Sequence, residues 1–296
     1  MRDIAIIGSG PAGLSASVYA TRAGLDTFVY SGKTSGGLLT TTDQVDNYLG
    51  LPGSTGMGMA KSFLDHATQL GAQFISGSAL EITQEADGSF LIQDDLGSAE
   101  HYRAVIFSAG SQPRKLGIPG EDLEGVSWCA VCDGTFSDGE EVAVVGGGES
   151  AVEEAVYMSN IASKVTVLVR GADFRANRPA VDALLSKSNV EVRYETSIIE
   201  ILGDEAVESA RLSDGTTIPL YSIFEAIGQV PQSHVAEHHS ELQDGGFIKH
   251  SKTEGFFVAG DVADPEYRQV AIAVGDGAKA AIDAIRWLQM SPSAAS

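Results

Sequence analysis

The only two cysteines among 296 residues stand as Cys129-Ala130-Val131-Cys132, and an acid, Asp133, follows at once. Three chemistries compete for such a pair. A structural zinc site takes four ligands, and no second cysteine pair exists to supply them. Two inert buried thiols would make the spacing a coincidence. A redox disulfide needs one accessible thiol of lowered pKa and a second thiol near enough to resolve a mixed disulfide, and Cys-x-x-Cys supplies both. Asp133 adds a carboxyl that can give or take a proton as thiolates form and leave. The candidate catalytic residues are therefore Cys129, Cys132 and Asp133.

A dithiol that turns over needs a source of electron pairs, and glycine-rich segments lie on both sides of this one. Asp3–Gly8 reads as a buried parallel strand, Leu14–Arg22 as a helix and Thr27–Tyr30 as a second strand. Gly8-Ser9-Gly10-Pro11-Ala12-Gly13 joins them, which is the setting a dinucleotide fingerprint requires. Gly8 makes the turn, Gly10 admits a pyrophosphate, and Gly13 lets helix pack on sheet, with helix N-terminal amides facing the phosphates. Ser31 occupies the place where an acid usually holds the ribose. The pattern restarts later, with strand Glu141–Val145, loop Gly146-Gly147-Gly148-Glu149-Ser150-Ala151, helix Val152–Asn160 and strand Lys164–Val169. Alanine is permitted at the third place of the fingerprint. Arg170, Arg175 and Arg178 follow; they read either as a bidentate site for a 2′-phosphate or as a solvated basic turn. Domains that use Cys-x-x-Cys without a cofactor are much shorter and lack such loops, so a bound cofactor is expected to carry the electrons, and a flavin suits the task.

The remaining segments must position these groups. Residues 36–48 read as an ordinary polar turn and residues 56–70 as an amphipathic helix. Short strands over 72–107 suggest a small antiparallel layer. Pro113, Gly117, Pro119 and Gly120 mark a boundary. Short strands fill 190–227, where Ala226-Ile227-Gly228 echoes Ser108-Ala109-Gly110 as if each half closed alike. His234, His238 and His239 lack companion ligands and read as a solvated helix face. Phe256–Ala259 is an apolar strand ending in Gly260-Asp261, and a helix follows Gln269. A net charge of −21 argues against nucleic acid as a partner. Apolar runs are too short to span a bilayer, and the N-terminus lacks the pattern of a signal peptide, so a cytoplasmic protein with no membrane partner is expected.

Together the motifs resemble the low-molecular-weight thioredoxin reductases over essentially the whole chain. The residues that carry the resemblance are Gly8–Gly13, Leu39-Thr40-Thr41-Thr42-Asp43 with Asp46-Asn47-Tyr48, Gly117-Ile118-Pro119-Gly120, Cys129–Gly134, Gly146–Ala151, and Ala259-Gly260-Asp261-Val262 with Tyr267-Arg268-Gln269. The resemblance implies an α/β protein with two Rossmann-like three-layer dinucleotide-binding domains, the second inserted into the first. Their expected bounds are 1–113, 114–242 and 243–296. It implies FAD in the discontinuous first domain, held by Gly8, Gly10, Pro11, Ala12, Gly13, Ser31, Gly36, Gly37, Leu38, Thr41, Asn47, Ala109, Gly110, Gly260, Asp261, Arg268, Gln269 and Val270. It implies NADPH in the second, held by Gly146, Gly148, Glu149, Ser150, Ala151, Arg170 and Arg175. A homodimer, thioredoxin as substrate, Cys132 toward the flavin, Cys129 toward the substrate and Asp133 as the acid are implied in the same way.

The chain departs from the family on the donor side. Where the family reads His-Arg-Arg-x-x-x-Arg, this chain reads Val169-Arg170-Gly171-Ala172-Asp173-Phe174-Arg175. One lost charge-assisted contact costs roughly 1.5–3 kcal/mol, so a weakened preference for NADPH is expected. Leu38 stands for a common glutamine and Ala109 for a common threonine. Some relatives take electrons from ferredoxin and others oxidise small dithiols; both remain alternatives to NADPH-driven reduction.

Overall fold

The computed structural model describes residues 1–290 apart from Lys33 and Asp43. Asp43 of the threonine-rich motif and the final Ser-Pro-Ser-Ala-Ala-Ser therefore lie outside the described residues. The chain forms two compact units, Met1–Gln112 with Gln229–Ser296, and Pro113–Gly228.

In the first unit β1 (Arg2–Ile7), α1 (Pro11–Arg22) and β2 (Thr27–Tyr30) form the expected crossover, with β1 and β2 parallel and Ile7 opposite Tyr30. Ile4 and Ile6 face the alanine-rich helical side, while Ala5 and Ile7 face the aromatic core on the other side. Burial on both faces is why β1 reads as an unbroken apolar run. Thr55 caps α2 (Gly56–Gln69) by accepting the Gly58 N–H. β3 (Gln73–Ile75) then pairs with β2 in parallel. The antiparallel layer expected over 72–107 thus starts only after β3, because a strand that returns through a helical crossover joins its sheet in parallel. β4 (Ala79–Gln84), β5 (Phe90–Asp94) and β6 (Ala99–Phe107) are antiparallel neighbours, and β6 also runs parallel to β1, so the layer is a continuation of the main sheet. β7 (Ser111–Pro113) ends this part of the chain.

The second unit holds β8 (Val126–Ser127), the short α3 (Ala130–Asp133), β9 (Glu141–Val145), α4 (Glu149–Met158), β10 (Lys164–Val169), α5 (Arg178–Leu185) and β11 (Val190–Tyr194). β12 (Ile198–Leu202), β13 (Ser209–Leu212) and β14 (Thr217–Pro219) form a small antiparallel sheet before β15 (Ser222–Glu225). The parallel sheet has the order β11-β10-β9-β15-β8. Val142 and Val144 point to the core shared with α4 and α5, whereas Ala143 and Val145 point to the core shared with the small sheet. These are three layers, built on the period-2 alternation of β9.

The chain re-enters the first unit as β16 (Gln229–Pro231), which pairs with β7. Residues 229–242 were expected in the second domain but belong to the first, so the crossing falls at Gly228. The cause is burial: Ala236 is fully enclosed in the aromatic core, and His239 stacks on Phe256 while its Nε2 donates to Ile82 O at 2.8 Å. His239 is therefore no part of a solvated face, although the turn His234–His239 does carry the other two histidines. The echo at Ala226-Ile227-Gly228 was the true boundary signal. β17 (Ser240–Leu242) and β18 (Ile248–Ser251) form a hairpin, β19 (Phe256–Val258) joins β6 in parallel, and α6 (Val270–Met290) lies against α1. Helix contact is close because a Cβ on Gly277 would sit 1.9 Å from Ala12 O. No helix among the described residues is long and apolar enough to cross a membrane.

Candidate active site and nucleotide loops

The first glycine loop sits at the C-terminal ends of β1, β6 and β19, where open parallel sheets bind ligands. Gly8 has φ +109, and a Cβ there would meet Ser108 O at 2.3 Å; at Gly13 it would meet Gly8 O at 1.9 Å. Gly10 is the N-cap of α1, and none of the described side chains caps it, so the first-turn amides of Ala12 and Gly13 are offered to a ligand. Residues 37–41 form a 3-10 turn where the sequence suggested an ordinary loop, and it brings Gly37 within 3.1 Å, as a Cβ would be placed, of Gly10 Cα. Gly36 is buried beside Ala60, Leu38 is half-buried, and the exposed Thr41 donates to Leu38 O at 2.8 Å. A Cβ on Gly260 would meet that of Ala12 at 2.8 Å, which puts Asp261 beside the same loop. Burial and the neighbouring Asp264 push the Asp261 carboxyl up to about 6.

Asp264 accepts the backbone N–H groups of Glu266, Tyr267 and Arg268, at 2.9, 2.9 and 3.0 Å. This turn holds Arg268 at φ +47, presents Gln269 and starts α6 at Val270. Gln269 Oε1 accepts from Asn47 Nδ2 at 3.0 Å, so residues far apart in sequence meet. Ser31 is spent locally: its hydroxyl donates to Ile75 O at 3.0 Å and its carbonyl accepts from Ser9 Oγ at 3.2 Å. Ala109 packs on the aromatic core and Gly110 has φ +72. A shallow glycine floor, an uncapped helix start and a half-buried acid form a cradle that could hold a dinucleotide.

In the second unit Gly146 has φ +148, and a Cβ would meet Ala226 O at 2.4 Å. Gly148 is the uncapped N-cap of α4, with open space around it. Glu149 lies in the first helical turn and is tied to the following loop, its Oε1 accepting from Asn177 N at 2.7 Å and its Oε2 from Asn177 Nδ2 at 2.8 Å. Arg175 N donates to Gly147 O at 2.6 Å. Ser150, Arg170 and Arg175 are exposed, whereas Arg178 is engaged by Asp182 one helical turn on at 2.9 Å.

Cys129 and Cys132 are joined as a disulfide, and both are half-buried. Cys129 is the extended residue before α3, and the N–H groups of Cys132 and Asp133 donate to Cys129 O at 3.1 Å each. Ser127 was not singled out by sequence, yet it links the group. Its hydroxyl accepts from Cys129 N at 3.1 Å and donates to Asp133 Oδ2 at 2.5 Å. Its position two residues before Cys129, at the end of a strand, is the only signal that could have found it. Val131, between the two cysteines, and Phe136, four residues after Cys132, are exposed.

The family model described as pyridine nucleotide-disulphide oxidoreductase matches residues 2–277. A thioredoxin reductase of Mycolicibacterium smegmatis is 36% identical over 97% of this chain and 97% of that protein. A protein named glucosaminate ammonia-lyase from Pseudomonas fluorescens is 38% identical over 96% of this chain and 95% of its own. The solved thioredoxin reductase of Giardia duodenalis is 34% identical and superposes with a TM-score of 0.91, covering 98% of this chain and 99% of that one. With two dinucleotide-binding folds, a Cys-x-x-Cys disulfide and a match over nearly its whole length, the chain is an oxidoreductase that belongs to the pyridine nucleotide-disulphide oxidoreductase family.

Proposed function

We propose that the chain reduces the disulfide of thioredoxin or a thioredoxin-like protein, with FAD at the first glycine loop and NADPH as the donor at the second. The observation that carries this reading is the Cys129–Cys132 disulfide with Ser127 bridging Cys129 to Asp133. When bound, a flavin supplies the electron pair that opens this disulfide. Cys129, as thiolate, attacks one sulfur of the substrate disulfide; that bond breaks and its other sulfur leaves as a thiolate. Cys132 then attacks Cys129 Sγ, which releases the second substrate thiolate and re-forms Cys129–Cys132. Two electrons have passed to the substrate. Asp133 protonates a departing thiolate, and the Ser127 hydroxyl orients its carboxyl. Gly8, Gly10 and the first turn of α1 take the flavin diphosphate, and Asp261 with the Arg268–Val270 turn takes its polar edges. Gly146, Gly148, Ser150 and Ala151 take the nicotinamide dinucleotide, with Arg170 and Arg175 toward a 2′-phosphate. The protein works in the cytoplasm as a homodimer.

The deciding experiment is anaerobic titration of the flavin spectrum with NADPH, NADH and reduced ferredoxin in parallel. Bleaching by NADPH within ordinary turnover time is expected; bleaching by ferredoxin alone moves the donor assignment to the second reading. That reading is favoured by Gly171, which stands where a second arginine would bind phosphate. Cys132→Ser is expected to keep FAD and lose thioredoxin reduction, and retained turnover would refute its role. An ammonia-lyase reading leaves the disulfide without a task.

A further inference from the structure

Glu225 ends β15, the strand between β9 and the edge strand β8, and is 2% exposed; Glu121 lies in the Gly117–Glu121 turn and is 7% exposed. Both are fixed at one oxygen. Glu121 Oε2 accepts from Gly117 N at 3.0 Å, and Glu225 Oε2 accepts from Trp128 Nε1 at 3.0 Å. Neither backbone can swing the acid outward. A Cβ on Gly120 would lie 2.1 Å from Ile201 O, which clamps the turn, and β15 is paired on both sides. The two carboxyls lie within reach of each other, each Oε1 is buried without a well-formed hydrogen bond among the described residues, and the Leu116 N–H also faces Glu225. Burial and the neighbouring Glu121 resist a charge on Glu225, so Glu225 keeps a proton up to about pH 7.

The position of the pair gives it a task. β8 pairs with β15 only at Val126–Ile223 and Ser127–Phe224. At the next residue, Trp128, the ladder stops, and the indole bond to Glu225 takes the place of the missing rung. Cys129 follows directly. We propose that Glu121 and Glu225 form a proton-sharing positioning pair that holds Trp128, and through its main chain the Cys129 end of the redox disulfide. This rests on the redox role assigned to that disulfide. The indole bond is strongest when Glu225 carries the charge, so the grip on Trp128 depends on where the proton sits. The other charged groups facing the pair are few. Lys115 lies 5.2 Å over the Trp128 ring and feels both acids, and it is paired with Asp122 at 3.0 Å. Burial and the neighbouring Glu121 push the Glu225 carboxyl up to about 7.

The test uses the intact flavoprotein and dithiothreitol as reductant, so a wrong donor or substrate assignment leaves its outcome untouched. Infrared spectra of the oxidised protein should show a carboxylic acid C=O band that is lost as pH rises through about 7. The band should vanish in Glu121→Gln and Glu225→Gln, each of which supplies a permanent donor in place of the proton. The rate of disulfide opening, corrected for the thiolate fraction of the reductant, should rise about threefold above that step, because the charged Glu225 holds the Trp128 indole, and with it the Cys129 end, more firmly. Both glutamine variants should lack the step. Glu225→Leu, which removes the acceptor, should slow opening about tenfold. A band that survives in both glutamine variants, or one pH profile common to all the proteins, overturns the proposal. Should the leucine variant fail to fold, the two glutamine variants still decide it.

Discussion

In the first unit a Cβ at the third fingerprint position, Gly13, would lie 1.9 Å from Gly8 O and 2.9 Å from Ser108 Oγ. In the second unit that position already carries a Cβ, that of Ala151, and the room comes from Gly146, whose own Cβ would have stood 2.8 Å from it. The surroundings differ in the same sense. Gly260 and Gly277 press on Ala12 in α1, whose first turn holds no acid, while α4 begins with Glu149 and has open space at Gly148. One spacing has thus been built once as a tight seat and once as an open one. A tight seat suits a cofactor that stays, and an open one suits a nucleotide that must leave on every cycle.

The largest test of this difference is Gly13→Ala, which writes the second loop's residue into the first. The added Cβ meets backbone, which cannot give way cheaply, so the loop must open by more than about 2 kcal/mol. We expect the purified protein to lose flavin, read as the ratio of flavin to protein absorbance, by tenfold or more. Ala151→Gly, the reverse change in the other loop, should leave flavin content as it was. Equal flavin content in both variants would show that the two seats do not differ.

A smaller effect concerns one acid in each unit, the half-buried Asp261 and the buried Glu225. Asp261 is pushed up from 3.8 to about 6 and Glu225 from 4.5 to about 7, both chiefly by burial. A carboxyl whose folded pKa is raised adds stability below its unfolded pKa and loses it as pH rises through the folded value. The first unit should therefore weaken between pH 3.8 and about 6, and the second between 4.5 and about 7. Asp261→Asn should flatten the pH dependence of the melting transition that releases flavin fluorescence, by on the order of 1–2 kcal/mol or a few degrees. Glu225→Gln should leave that transition's slope alone. A flavin-release midpoint that follows Glu225 instead reverses the assignment.

Much of this was legible in the sequence, and the reasons for the rest are physical. β1, β9 and β10 were readable because strands buried on both faces are continuous apolar runs, and β2 matched to the residue. β3 is ambiguous in sequence because three residues carry no sign of parallel or antiparallel pairing; the helix before it decides that. The return of 229–242 to the first unit was hidden because His239 is polar in sequence and buried in the fold, where Ile82 O and the Phe256 ring satisfy it. Glycines, cysteines and Asp133 declare themselves by spacing. Ser127, Glu121, Glu225 and the Asp264 clamp do not, since their roles come from contacts across strands and turns that no local pattern records.

On the donor side the open loop can be made more selective. Gly171 has no positive φ, and a Cβ would meet only main-chain atoms of Asp173, O at 3.5 Å and N at 4.0 Å, both at ordinary contact distance. Gly171→Arg should therefore be accommodated and add one bidentate partner for a 2′-phosphate beside Arg170 and Arg175. The KM for NADPH should fall about tenfold while that for NADH stays put. A parallel fall for both nucleotides would place the new charge on the pyrophosphate instead.

The smallest effect separates charge from shape in the open loop. Glu149 stands where helix N-terminal amides should attract phosphate, so its carboxylate competes for the same positive end of α4 that a nucleotide would use. It also clamps Asn177, which caps α5 by accepting from Ala180 N at 3.0 Å. Glu149→Gln removes the charge but keeps one oxygen to accept the Asn177 N–H. The lost repulsion, partly screened at this exposed position, should lower the KM for NADPH about threefold. The change should shrink as salt is raised, because screening has already removed part of the repulsion. Glu149→Ala breaks the clamp as well. If it lowers KM as far as the glutamine variant does, the openness of this seat is electrostatic; if it raises KM, the Glu149–Asn177 clamp is what keeps the second loop in shape.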